Sequence, residues 1–357
     1  MIGNERATSE WNSAVDSALV CRAIYAETED VKTFVFAPRT PARMVFEPGQ
    51  FLTFTFLIDG AEHQRCYTIA SPATVEATVS ITVKRVPGGK VSPWLHAHLK
   101  VGDTVKAEGP NGIFTPAAVA RKDGFLFLSG GSGITPLISM TRTFADLAED
   151  RDIVFVHAAR TPPDIILRDE LARLARRMPR LRVVHVVEAT TGERGWAGFV
   201  GRVDPALLAA AVPDLPRRAV LCCGPAPFMH AMKTLALAAG IAPENYAEES
   251  FSFEAASGPG AMPEAAGTAG RTFEITFAKS NRVFACPDTM TILEAARRAG
   301  VPLASGCAKG LCGTCKSRKL AGSVAMKHEG GIRQREIDQG MFLPCCSRPL
   351  GDVSIDR

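Results

Sequence analysis

The sequence predicts three folded parts in succession: a small antiparallel β-barrel, a doubly wound α/β domain and a small α+β domain. Three observations predict this order. Short β-type segments fill the first third of the chain, and alternating strand-type and helix-type segments follow them. A stretch rich in Gly, Ala and Pro then precedes the C-terminal part. The 357 residues also exceed one ordinary hydrophobic core.

The first predicted domain comprises residues 1–118 and is rich in β-type segments. The segments VKTFVFAPR, QFLTFTFLI and VSITVKRVP contain many β-branched and aromatic residues and are separated by Pro/Gly turns. Short strands of this kind are typical of a small antiparallel barrel.

The second predicted domain comprises residues 119–251. GFLFLSGG, DIVFVHAAR, LRVVHVVEA and RAVLCCGP have the composition of short buried strands, and helical stretches lie between several of them. Strands that alternate with helices predict a parallel, doubly wound sheet.

Residues 252–271 have the composition of a linker, and residues 272–357 form the third predicted domain. TFEITFAKSNRVFAC predicts a β-hairpin. TMTILEAARRAG predicts an amphipathic helix that Thr289 or Thr291 caps and that Gly300 ends.

The composition excludes several classes of function. A net charge of +4 is too small to indicate nucleic-acid binding. The N-terminus MIGNERATSEWNSA is polar and contains acidic residues, unlike a signal or transit peptide. No apolar run approaches the roughly 20 residues that span a bilayer. We therefore expect a cytoplasmic protein without a membrane partner.

Clustered cysteines near the C-terminus predict a metal centre. The spacing C-x4-C-x2-C is that of plant-type [2Fe–2S] ligation, in which each of two irons takes two terminal thiolates. A zinc site is the alternative, but it favours two short C-x2-C pairs, and this chain offers one. The predicted ligands are Cys307, Cys312, Cys315 and Cys345.

The fourth ligand is ambiguous because Cys346 adjoins Cys345. Cys345 keeps a gap of 29 residues after Cys315 and leaves Pro349 four positions later, as in plant ferredoxins. We therefore predict Cys345 as the ligand and Cys346 as a packed or weakly exposed thiol.

A flavin site is predicted around the sequence Arg65-Cys66-Tyr67-Thr68. Tyr67 supplies an aromatic ring for the isoalloxazine, Thr68 a donor near N5 and Arg65 a cation for the phosphate. A Gly-Gly pair with a following Ser offers further donors for a phosphate. The additional predicted flavin-binding residues are Val83, Lys84, Gly88, Gly89 and Ser92.

A nicotinamide site is predicted where the segment LSGGSGITP leaves a buried strand and opens a helix. A Gly-rich loop at a helix N-terminus suits a pyrophosphate, although the pattern is not G-x-G-x-x-G. The predicted residues of this loop are Gly130, Gly131, Gly133 and Thr135.

Together these motifs resemble those of the ferredoxin–NADP reductase superfamily, over about residues 17–357. The resemblance implies R-x-Y-[ST] and G-x-x-S elements for the flavin and a GGxGxTP loop for the nicotinamide. It also implies that Cys223-Gly224-Pro225 lies near the position of hydride transfer and that Glu249 and Phe251 cover the flavin. The implied catalytic residues are Thr68, Thr135, Cys223 and Glu249.

The resemblance implies an FAD-binding β-barrel, an NAD(P)-binding α/β domain and a β-grasp ferredoxin domain. FAD is favoured over FMN by the relatives. Glu188 stands where a 2′-phosphate requires a cation, which favours NADH. Arg160, a predicted cofactor-binding residue, and Arg194 keep NADPH open.

The domain order resembles that of reductase components of Rieske oxygenases. The tail, MKHEGGI with LPCCSRPLGDVSID, most resembles glycine betaine demethylase reductases. The implied function is electron transfer from NADH through flavin and the cluster to a separate Rieske monooxygenase. The alternatives are the reductase of a hybrid-cluster protein or of another multicomponent oxygenase, and, as a different class, a redox-sensing or nitric-oxide-scavenging flavoprotein.

The third domain is unusually basic, with 13 Lys/Arg against 8 Asp/Glu. Lys316, Arg318 and Lys319 follow Cys315 directly. A solvated loop is the simpler interpretation, and a patch that steers docking to an acidic partner is the alternative hypothesis.

Overall fold

The computed structural model describes residues 9–120, 124–250, 271–301, 303, 310, 313, 315–328, 332 and 334–357. The chain divides into two compact units, 1–251 and 252–357, and each is described by itself. The predicted linker, residues 252–271, lies almost entirely outside the described residues. No helix in the described part of the chain is long and apolar enough to cross a membrane.

The N-terminal part of the first unit is a six-stranded antiparallel sheet in the order β4-β3-β6-β1-β2-β5. Phenylalanines at alternate positions of β2 and β3 fill its interior, because alternate side chains of a strand point to one face. This confirms the predicted β domain. Its elements are β1 (Ala18–Thr28), β2 (Val31–Pro38), β3 (Phe51–Ile58), β4 (Ala61–Thr68), β5 (Val79–Lys84), α1 (Val91–His98) and β6 (Thr104–Asn111).

The second part of the first unit is a parallel sheet in the order β10-β9-β8-β7-β11-β12. Its helices cover two separate apolar clusters, one on each face, which confirms the doubly wound fold. Its elements are β7 (Gly124–Gly130), α2 (Ile134–Asp146), β8 (Asp152–Ala159), α3 (Arg168–Arg177), β9 (Leu181–Val187), β10 (Phe199–Val200), α4 (Pro205–Ala211), β11 (Ala219–Gly224), α5 (Ala226–Ala238) and β12 (Tyr246–Ser250).

The strand order reverses between β7 and β11. Successive strands are added on one side of β7 up to β10, and β11 and β12 then lie on its other side. Ligands of open α/β sheets bind at such a reversal, outside the carboxyl ends of the strands. The fold therefore places a binding crevice where β7 and β11 end.

Helix α2 joins the antiparallel and parallel sheets of the first unit. The Ser139 hydroxyl donates to the Ser71 carbonyl at 2.8 Å, and the Ala73 N–H donates to the Thr143 hydroxyl at 2.9 Å. The Arg142 guanidinium donates to the Ala70 carbonyl. These bonds fix the segment after β4 against the helix that follows the Gly-rich loop.

The second unit is an α+β fold with a five-stranded mixed sheet in the order β14-β13-β19-β15-β17 and a separate pair β16-β18. The predicted hairpin and helix are both present. Of the two proposed caps, Thr291 accepts from the Glu294 N–H at 3.3 Å. The elements are β13 (Thr272–Phe277), β14 (Arg282–Pro287), α6 (Ile292–Arg298), β15 (Ser317–Ala321), β16 (Val324–Met326), α7 (Gln334–Asp338), β17 (Met341–Phe342), β18 (Ser347–Pro349) and β19 (Val353–Ile355).

Candidate functional site

The Gly-rich loop after β7 packs directly on the end of β11. A Cβ atom at Gly133 would lie 2.2 Å from the Cys223 carbonyl oxygen, so no side chain fits there. A Cβ atom at Gly224 would lie 2.8 Å from the Phe228 ring. Gly131 has a φ of +52°, which favours glycine. The two motifs that the sequence analysis found 90 residues apart thus form one surface.

Adjacent cysteines at the end of β11 point to opposite faces of the sheet. Cys222 packs in one apolar cluster and Cys223 in the other, on the face of α2. Burial, and secondarily the Glu249 charge, raise the pKa of the Cys223 thiol well above its ordinary value. Cys223 is therefore a neutral packing group in this crevice and not an activated nucleophile.

Glu249 connects the crevice to the end of β4. It lies beside Cys223 in the β11–β12 pairing, and its Oε2 accepts from the Thr68 hydroxyl at 3.4 Å. Both side chains are buried. Thr135, at the first turn of α2, donates to the Ser132 carbonyl at 3.2 Å. The structure thus brings the four predicted catalytic residues to one region, while Phe251 lies outside the described residues.

Two predicted flavin residues of β4, Arg65 and Tyr67, lie on one face of that strand, and Thr68 lies on the other face. Tyr67 is partly buried against Phe54 and Phe56, with ring centroids 6.0 and 6.4 Å away, and burial raises its pKa. The Arg65 guanidinium donates to the Gln64 carbonyl at 2.7 Å. An aromatic ring, a hydroxyl and a guanidinium thus follow each other along this strand.

The glycine pair precedes the N-terminus of α1. Gly88 has a φ of +73°, and no described residue beyond its chain neighbours has an atom within 4 Å of the position that a Cβ atom would take. The Ser92 hydroxyl accepts from the Val86 N–H at 3.1 Å, which leaves its own proton for another acceptor. Val83 is buried, and Lys84 pairs with Asp30 at 3.3 Å. The turn and the helix N-terminus can accommodate a phosphate.

His63 was missed by the sequence analysis and supports a phosphate at this place. It lies two residues before Arg65 on the same face of β4, and its Nε2 is buried without a hydrogen-bond partner in the described part of the chain. Burial, followed by the positive charges of Lys90 and Arg65, lowers the pKa of His63. An anion here would satisfy Nε2, so the residues present fit a phosphate-bearing flavin. The i, i+2 relation to Arg65 was the available sequence signal.

A cavity of about 690 Å³ lies in the segment after β9. Arg168 forms a bidentate ion pair with Glu193 and lies over the Trp196 ring, 5.2 Å from its centroid. The residues that line the cavity are Thr190, Gly192, Glu193, Arg194, Gly195 and Trp196.

Two charged residues considered for dinucleotide choice are ion-paired. Arg160 binds Asp30 at 3.2 Å and Asp164 at 2.7 Å, so two carboxylates already neutralise it. Glu188 lies 3.7 Å from Arg202. The engaged state of Arg160 disfavours a 2′-phosphate, because two carboxylates already bind its guanidinium.

Two of the four predicted cluster ligands lie outside the described residues, Cys307 and Cys312. Cys315 and Cys345 are both buried and belong to the same small cluster. The Cys346 thiol donates to the Leu343 carbonyl at 3.5 Å, and a Cβ atom at Gly310 would lie 2.6 Å from its Sγ. Within the described ranges no group of three or more potential ligands is assembled.

Comparison with known families gives three matches that cover most of the chain. Residues 21–115 match the oxidoreductase FAD-binding domain, residues 127–234 the oxidoreductase NAD-binding domain, and residues 275–350 the 2Fe-2S iron-sulfur cluster binding domain. The three matches follow the order that the motifs predicted.

Individual proteins are similar over nearly the full length. The glycine betaine monooxygenase reductase subunit of Chromohalobacter salexigens is 40% identical, over 99% of this chain and 98% of that protein. The stachydrine N-demethylase reductase subunit of Rhizobium meliloti is 37% identical, over 98% of each. The solved structure of phthalate dioxygenase reductase covers 97% of this chain and all of that one, with a TM-score of 0.58 and 23% identity.

Proposed function

The chain belongs to the family of iron–sulfur flavoprotein reductases that serve monooxygenases, and we propose that it reduces a Rieske-type oxygenase that demethylates a quaternary ammonium compound. It has the FAD, NAD and [2Fe–2S] domains of NADH-dependent electron transfer to an oxygenase component. The two relatives are named for glycine betaine and stachydrine, which both carry a quaternary nitrogen and a carboxylate. This shared chemistry supports a substrate such as glycine betaine for the partner.

One contact carries the proposed site: the hydrogen bond between Thr68 and Glu249 at the end of the crevice. It brings the flavin strand β4 to the nicotinamide side of the parallel sheet. FAD supplies the step that accepts two electrons as hydride and releases them singly. The proposed role of Thr68 is to turn its hydroxyl proton from Glu249 to the flavin ring when FAD binds, since a hydroxyl has one proton to donate. Cys223 and Glu249 then close the crevice and exclude water from it.

The flavin phosphate is proposed to bind at the face of β4 and the start of α1. Arg65 contributes charge, the Ser92 hydroxyl a donor, and Gly88 and Gly89 allow a close approach of the backbone. His63 completes the donor set with its buried Nε2, which has no hydrogen-bond partner among the described residues.

The nicotinamide dinucleotide is proposed to lie along the carboxyl ends of β7, β8 and β9. The Gly-rich loop of residues 130–135 contributes N–H groups for the pyrophosphate. The cavity after β9 would hold the adenosine end, and the engaged state of Arg160 disfavours NADPH.

Cys307, Cys312, Cys315 and Cys345 are proposed as the cluster ligands. The burial of Cys315 and Cys345 in one apolar cluster supports their joint role, because an apolar shell limits the access of solvent to a cluster. The cluster is then the exit point for electrons.

The basic surface for the partner is proposed to differ from the one that the sequence suggested. Lys316 pairs with Glu336 at 2.7 Å and contributes little free charge. Arg318, Lys327 and Arg348 are exposed and form no ion pair among the described residues. Lys327 donates its N–H to the carbonyl of Cys346, next to the fourth ligand. We name Lys327 and Arg348 the cationic edge and expect it to meet an acidic surface.

The test is reconstitution with candidate oxygenases. NADH, the purified reductase, a Rieske oxygenase and glycine betaine should together yield demethylated product and formaldehyde, and omission of the reductase should abolish both. Reduction of cytochrome c by NADH checks the electron path by itself. If cytochrome c is reduced but Rieske oxygenases for quaternary ammonium compounds are not, the proposed partner is wrong while the transfer function stands.

A further inference from the structure

A row of polar side chains crosses the parallel sheet at its carboxyl end. The strand pairing places Cys223 beside Ser129, Ser129 beside His157, and His157 beside His185. Residues in register on parallel strands point to the same face. The row therefore runs from the crevice at β11 toward β9, beneath the loop proposed for the nicotinamide.

Ser129 and His157 form a buried hydrogen bond that the proposed function does not use. The Ser129 Oγ and the His157 Nδ1 are 2.7 Å apart, the Val156 carbonyl is a longer second acceptor for the hydroxyl at 3.5 Å, and neither Ser129 nor His157 is accessible to solvent. The Nε2 of His157 and the Nδ1 of His185 are buried without hydrogen-bond partners among the described residues. The two imidazoles pack edge to face, with centroids 6.3 Å apart.

Both imidazoles are neutral at ordinary pH. Burial, followed by the neighbouring His185, lowers the pKa of His157 to about 3. Burial, followed by the charge of Arg168, lowers the pKa of His185 to about 4. A buried imidazole with an unsatisfied nitrogen destabilises a fold relative to an apolar side chain of similar size. Such a costly group at the end of a strand indicates a role other than packing.

Ser129 adjoins the loop whose backbone groups are needed for the dinucleotide. Serine hydroxyls commonly bond to backbone groups a few residues away, in competition with other partners. The loop has little freedom to adjust, since a Cβ atom at Gly130 would lie 3.1 Å from the Phe228 ring and Gly133 lies against Cys223. A hydroxyl turned into this loop would occupy one of its N–H groups.

We propose that His157 is a positioning residue for the nicotinamide-binding loop, because it holds the Ser129 hydroxyl away from the backbone N–H groups of that loop. The inference rests on the proposed binding of the dinucleotide at this loop. This role differs from packing in one respect. His157 should be needed for binding of the dinucleotide only while Ser129 carries its hydroxyl.

The test is a double-variant cycle on the FAD- and cluster-loaded chain, with Ser129→Ala, His157→Leu and their combination. Dissociation constants for NAD+ and for AMP are measured by titration calorimetry, together with the thermal unfolding midpoint. His157→Leu should weaken NAD+ binding about fivefold, as expected for one neutral hydrogen bond. Binding of AMP, which lacks the nicotinamide half, should be unchanged, and the midpoint should not fall.

Ser129→Ala, alone and combined with His157→Leu, separates the proposed role of His157 from simple packing. Ser129→Ala should bind NAD+ within about twofold of the wild type, and the double variant should recover this affinity, which is a non-additive result. His157→Asn, which keeps a polar atom near the position of Nδ1, should restore part of the affinity. Thr141→Val removes another buried hydroxyl bond, to the Leu137 carbonyl within α2, and serves as the matched control.

Additive losses in the double variant, or parallel losses of NAD+ affinity, AMP affinity and thermal midpoint, would overturn the inference in favour of simple packing. Wild-type affinity of His157→Leu would overturn it as well. Failure of the wild-type protein to bind NAD+ would instead contradict the proposed function, so the two failures are distinguishable.

Discussion

The adjacent cysteines Cys345 and Cys346 have different surroundings at the proposed cluster site. Cys345 is buried with Cys315, Leu293 and Leu343, whereas Cys346 is half-buried and its thiol is directed to a backbone carbonyl. A short helical turn at residues 344–346 separates the two side chains by rotation about the backbone. One position along the chain thus distinguishes a proposed ligand from a packing thiol.

We predict that Cys345→Ser loses the [2Fe–2S] cluster and that Cys346→Ser keeps it, because Cys345 is buried within the apolar cluster of Cys315, whereas Cys346 is only partly buried against it. Iron and sulfide content and the visible absorption spectrum of the purified protein are the measurements. Cys286→Ala, which removes a buried thiol from the other core of the second unit, is the control and should retain the cluster. Loss in Cys346→Ser with retention in Cys345→Ser would reverse the assignment.

At the scale of secondary-structure elements, the buried guanidinium of Arg218, directly before β11, connects three strands of the parallel sheet. The Arg218 side chain is 7% exposed and binds Asp152 at 2.7 Å and Asp214 at 2.9 Å. It also donates to the Phe125 carbonyl at 3.1 Å. Arg218 thereby connects β11 to β7 and β8, the strands on which the crevice depends.

We predict that Arg218→Met lowers the free energy of unfolding by about 2 kcal/mol at neutral pH, since Asp214 loses its ion-pair partner and Asp152 loses the more buried of its two cations. Arg180→Met is the matched control: Arg180 also pairs with Asp152, at 3.1 Å, but is 56% exposed. Its loss should cost about 0.5 kcal/mol or less. Denaturant unfolding followed by circular dichroism measures both, and equal effects would contradict the argument.

The stability difference between the wild type and Arg218→Met should depend on pH. The Arg218 hydrogen bond holds the pKa of Asp214 below its ordinary value of 3.8. A lowered folded-state pKa stabilises the protein above the ordinary value, and this contribution disappears as the pH falls through the lowered pKa. The difference in stability between wild type and Arg218→Met should therefore narrow below pH 3.8.

At the scale of the whole molecule, the protein separates the entry and exit of electrons into two units, residues 1–251 and 252–357. The first contains the proposed sites for both nucleotides, and helix α2 fixes its two sheets to each other. The second contains the cluster domain and the cationic edge. An acceptor that takes electrons from the proposed cluster would dock on the second unit, where the cationic edge is exposed.

We predict that Arg348→Glu slows reduction of the oxygenase partner about tenfold at low ionic strength and that the difference fades as salt screens the charge. Stopped-flow rates at 50 and 500 mM salt are the measurement. Arg282→Glu, an exposed cation on β14, is the control and should leave the rate unchanged. A partner reduction rate that does not respond to ionic strength in the wild type would refute electrostatic docking.

Much of the fold was predictable because its signals are local. Alternating apolar residues in VKTFVFAPR and QFLTFTFLI predicted β2 and β3, and the buried runs of the middle segment predicted the strands of the parallel sheet. The cofactor types were also predictable, since the glycine loop and cysteine spacings are contiguous in sequence. The exact roles of the site residues remain predictions, and Phe251, Cys307 and Cys312 lie outside the described residues.

The sequence by itself determined the order of the domains, the cofactors and the family, because periodicity and motif spacing are properties of neighbouring residues. Only the tertiary structure decided that Thr68 meets Glu249 across 181 residues and that Lys316 and Arg160 are ion-paired. It also decided that a buried nitrogen of His63 lacks a hydrogen-bond partner in the part of the chain that the structure describes. It also decided that Ser129, His157 and His185 form one row. The physical reason is register: which residues of distant strands lie side by side depends on how the sheet is assembled, and no local pattern encodes it.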